Sequence, residues 1–60
     1  MMAPERALEL AAEWRTRADQ LDAYARTLRR ESYLVDAMDA EQAATDYRLA
    51  ADELELEAQA

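Results

Sequence analysis

The residues best placed for chemistry are carboxylates. Glu5, Glu9 and Glu13 recur every four residues, as do Glu53 and Glu57, so each set shares one helix face. Such oxygen ladders could hold a hard cation. Neither set has the company that a working site needs. The chain contains no histidine and no cysteine, so the Glu-x-x-His pattern of metal sites in bundle cores is missing. The same two absences remove the usual zinc ligands, bases and nucleophiles. Without glycine there is also no loop to cradle a phosphate. The ladders read as solvated helix face. No catalytic residue, metal, cofactor or small-molecule substrate is expected.

Arginines are the second candidate. Arg15, Arg17, Arg26, Arg29 and Arg30 invite a nucleic-acid reading. Acids stand close by, however: Glu13 precedes Arg17, Asp22 precedes Arg26 and Arg48 precedes Asp52, each by four residues, the spacing of helical ion pairs. The charge is also unevenly divided. Residues 1–30 hold six arginines and five acids, whereas residues 31–60 hold one arginine and nine acids. The net charge of −7 therefore sits in the second half. This balance disfavours nucleic acid and anionic membrane, both of which attract basic surfaces. It favours a protein partner with a basic patch.

The elements that position these groups are helices. Proline occurs once, at Pro4, and alanine, leucine, glutamate and arginine dominate, all good helix formers. No apolar run reaches the roughly 20 residues that span a bilayer, and Met1-Met2-Ala3 leads directly into charge, so a cytoplasmic protein is expected. A seven-residue repeat runs through Ala7, Trp14, Leu21, Leu28 and Val35. Small residues follow four positions later at Ala11, Ala18, Ala25 and Ser32. The same alternation returns out of phase as Ala40, Tyr47 and Leu54 with Ala44, Ala51 and Ala58. A shift of that size implies a turn. Asp39 with Gln42 has the form of a helix-capping pair.

The spacing predicts an all-α antiparallel hairpin. Its helices run from about 4 to 35 and about 40 to 58, joined by a turn at about 36–39. The expected seam is Leu21, Leu28, Val35, Tyr47 and Leu54, layered with Ala18, Ala25, Ala44 and Ala51. Large residues would then meet large ones, and small would meet small. Trp14 would overhang with Leu10 and the Met1-Met2 start. Tyr24, Leu49 and Leu56 would form further apolar surface. A chain of 60 residues buries only about 60% of its unfolded surface and needs a staple. With disulfides and metals excluded, a homodimer forming a four-helix bundle is expected through Leu10, Trp14, Tyr24, Leu49 and Leu56.

These features describe a non-enzymatic interaction module, such as an adaptor, an inhibitor or a phage- or plasmid-type accessory protein. An alternative draws on the acidic face of Asp46, Asp52, Glu53, Glu55 and Glu57, which could imitate a phosphate backbone and block a restriction or CRISPR effector. A second draws on Asp39-Ala40-Glu41-Gln42-Ala43. With the small/large layering, this segment resembles the turn and second-helix start of plasmid-encoded RNA-binding copy-number regulators. That resemblance implies an RNA-binding dimer of hairpins, with Arg15 and Arg17 as the residues to test.

Overall fold

In the computed structural model, which describes residues 2–60, two helices pack antiparallel as α1 (Pro4–Arg30) and α2 (Leu34–Gln59). No strand occurs among the described residues. Met1, expected to overhang beside Met2, lies outside them. Pro4 opens α1, where its missing N–H has no helical partner to lose. Glu5 faces the positive end of the helix dipole, and Arg29 and Arg30 face the negative end.

The chain reverses at Glu31–Tyr33, about five residues before the expected turn. Ser32 adopts a left-handed conformation with φ 67°. Its N–H donates to the Arg29 carbonyl at 3.1 Å, and the Tyr33 N–H donates to the Leu28 carbonyl at 2.8 Å. This pair of bonds is the Schellman arrangement, with serine in the position that glycine usually takes. α2 then starts at once, the Ala37 N–H donating to the Tyr33 carbonyl at 3.0 Å. Asp36 lies in its first turn, and Asp39 lies well inside it rather than at a cap.

The earlier turn makes the helices nearly equal, at 27 and 26 residues, and the hairpin 43 Å long and 13 Å across. It also changes which layers meet. Counting outward from the turn between Arg30 and Leu34, Leu28 now stands about level with Ala37, Leu21 with Ala44 and Trp14 with Ala51. On the alternate rungs Ala25 stands level with Ala40, Ala18 with Tyr47 and Ala11 with Leu54. Apart from the Ala25–Ala40 rung, large residues meet small ones, contrary to the large-on-large expectation. Ala25, Leu28, Ala37 and Ala40 form one buried cluster with Leu21 packed against it, as this register requires.

Among the described residues, every buried one apart from Leu28 is an alanine: Ala7, Ala11, Ala18, Ala25, Ala37, Ala40, Ala44 and Ala51. Methyl side chains let the two backbones approach closely. Val35 leaves the seam altogether at 72% exposure, because the turn precedes it and directs it away from α1. Leu21, Tyr47 and Leu54 stay on the seam but are only partly buried. Among the described residues, no helix is long and apolar enough to cross a membrane.

Candidate interaction surface

One side of the hairpin is laced by ion pairs between the helices. Arg15 donates to Glu55 and Asp52, and Arg29 donates from Nε to Glu41 at 3.0 Å. Arg48 donates to Asp19 at 2.9 Å and to Asp22 at 2.6 Å. Arg15, Asp22 and Arg29 each follow a large seam position of α1 by one residue. Glu41, Arg48 and Glu55 likewise follow Ala40, Tyr47 and Leu54 on α2. The sequence +, −, + therefore meets −, +, − in antiparallel order.

Hydrogen bonding is the main influence on these ionisations. Glu55, then Asp52, raises the Arg15 pKa; Asp22, then Asp19, raises that of Arg48. The bond with Arg29 lowers the Glu41 carboxyl below its ordinary range. All of these side chains remain substantially solvated, so they fix register more than they add stability.

The sequence suggested ion pairs within each helix. The three spaced at four residues give way to others: Asp22 turns to Arg48, Asp52 turns to Arg15, and Glu13 approaches Arg6 at 3.9 Å. The inter-helix ladder was itself readable. It repeats every seven residues on both helices, beside the large rows.

The opposite side is apolar and unfilled. A shallow groove of about 620 Å³ is lined by Arg17, Gln20, Leu21, Tyr24, Ala43 and Tyr47. A second, of about 320 Å³, continues it along Trp14, Ala43, Asp46, Tyr47 and Ala50. Trp14 and Tyr47 meet edge to face, with centroids 6.3 Å apart and planes at 68°, a favoured aromatic geometry. Trp14 therefore does not overhang. The new register gives it cover from α2, and it is half-buried. Leu10, seven residues before Arg17, belongs to the same side.

The structure does not bring the five expected interface residues together. Leu10, Trp14 and Tyr24 lie on the groove side, whereas Leu49 and Leu56 stand on the outer surface of α2. There they continue a seven-residue stripe from Val35, with exposures of 57% and 66%.

The expected acidic face is divided as well. Asp52 and Glu55 are engaged by Arg15. Asp46 borders the second groove and accepts a hydrogen bond from Gln42 at 3.1 Å. Glu53 and Glu57 are exposed on α2. Among the described residues, no group of three acidic side chains converges to hold a metal ion. Asp39–Ala43, the segment resembling the copy-number regulators, lies mid-helix and forms no turn. Compared with protein-family models, curated proteins and solved structures, the chain matches none.

Proposed function

We propose that the chain is an interaction module that self-associates through its grooved face and leaves the outer surface of α2, which bears Leu49 and Leu56, for a protein partner; the net charge of −7 favours one with a basic patch. One observation carries this reading. Among the described residues, no large side chain is fully buried, while Trp14, Leu21, Tyr24 and Tyr47 gather on one side. An alanine seam removes little apolar area from water. A 60-residue chain without cysteine gains what it lacks by covering that aromatic side. Four helices then enclose a core that two cannot.

The engagement of Asp52 and Glu55 by Arg15 weighs against a nucleic-acid mimic, because it neutralises part of the imitated charge. It also occupies Arg15, one of the two residues an RNA reading would use.

Tyr24→Glu is the direct test. Tyr24 is 57% exposed, so its replacement leaves the seam intact while placing charge on the grooved face. Sedimentation should show the wild-type chain as a dimer and the variant as a helical monomer. Leu49→Glu, on the outer stripe, should remain dimeric. A monomeric wild-type chain at every concentration would refute the proposal.

A further inference from the structure

We infer that the second copy docks with its two-fold axis parallel to the helices, placing α1 of each copy on α2 of the other and Arg17 against Asp46 of the second copy. The inference rests on the self-association proposed above and names its geometry. Two copies meeting through the same face are related by a two-fold axis lying in that face. The axis runs either across the helices or along them.

Across the helices, α1 would lie on α1 and α2 on α2. The α2 edge of the grooved face is acidic. Asp46 lines it, Asp39 and Glu53 stand seven residues to either side, and Asp36 and Glu57 stand seven residues from the groove alanines Ala43 and Ala50. Such an edge would face its own copy, like charge on like charge, which disfavours association. The Trp14, Leu21 and Tyr24 ridge would likewise meet itself, bulk against bulk.

Along the helices, every residue of α1 meets the part of α2 with which it is already level. Trp14 is level with position 51 and Leu21 with position 44, so the bulky ridge settles over Ala50 and Ala43 of the second copy. Arg17 is level with position 48. That is two residues from Asp46, about 3 Å along the helix axis. Neither Arg17 nor Asp46 makes an ion pair within the chain among the described residues. Both border the grooves. Size and charge select the same axis, and both turns then lie at one end of the assembly.

Two measurements on the full chain test this. By sedimentation equilibrium, Arg17→Glu and Asp46→Arg should each weaken the dimer about tenfold or more, and the double variant should recover most of the loss. Failure of the double variant to recover overturns the Arg17–Asp46 contact. Because the chain has no cysteine, Glu31→Cys gives a single spin-label site at the turn. Pulsed electron resonance should find the two labels much closer than the 43 Å length of the hairpin. A separation approaching that length overturns the axis while leaving self-association intact. Absence of any dimer would instead remove the proposed function on which the inference rests.

Discussion

Ser32 carries the reversal of the chain, and its side chain gives that conformation no help. At φ 67° its Cβ crowds the following carbonyl, at a cost of about 1–2 kcal/mol for a residue other than glycine. Ser32→Gly should therefore stabilise the hairpin by about 1 kcal/mol, the entropy glycine adds to the unfolded chain offsetting part of the relief. Urea unfolding measures the difference, and an unchanged midpoint would mean the turn is unstrained. Glu41 makes a second residue-level prediction. Its carboxyl is held below the ordinary value of 4.5, first by the hydrogen bond from Arg29. A folded value below the unfolded one means the stabilisation is complete above about 4.5 and disappears as pH falls through the folded value. Glu41→Gln should flatten the dependence of melting temperature on pH in that acidic window and leave it unaltered near neutrality. An acid limb of unchanged steepness would assign the loss to other carboxylates.

The two helices hold together through alternation. Each large residue of one stands level with an alanine of the other, and the methyl groups set the spacing. Ala44 is wholly buried at the centre of the seam, with Leu21 level with it. Ala44→Leu adds volume where none is free and should destabilise the hairpin by about 1–3 kcal/mol. A thermal melt matching the wild type would show the helices spaced wider than described. The same alternation explains what the sequence reveals and what it hides. Both heptad rows, the hairpin and the small/large pattern are legible because helical periodicity is a local property. The register is not local, since either of two turn positions leaves the rows facing each other. What decides it is the left-handed bend at Ser32, and with no glycine in the chain the usual marker of such a bend is missing. Asp39 with Gln42 offered a more familiar signal and pointed too late. Arg29 and Arg30, basic residues in a last helical turn, marked the true end of α1. The ladder from Arg15–Glu55 through Asp22–Arg48 to Arg29–Glu41 marked the register. On the surface, Trp14 stands out in the sequence by its size and heptad position, and Tyr24 by its size. Their separation from Leu49 and Leu56 could be seen only once the turn was placed.

As a whole, the molecule is a rod 43 Å long and 13 Å wide whose three sides do different work. The ion-paired side is chemically closed: its arginines and acids already answer one another. The outer surface of α2 carries Val35, Leu49 and Leu56, all exposed. The grooved side holds Leu21, Tyr24, Tyr47 and Trp14, a share of the apolar surface that a chain of this size can hardly leave in water. If that side closes against a second copy, folding and association are one equilibrium. The melting temperature must then rise with protein concentration, because dilution favours the unfolded monomer by mass action. Calorimetry across a hundredfold range of concentration should show this rise for the wild-type chain. Tyr24→Glu should melt at a lower temperature that does not depend on concentration, since only the docking step has been removed. A wild-type melting temperature that stays constant across the range would mean the alanine seam alone sustains the fold, and the grooved side would then have no part in the stability of the protein.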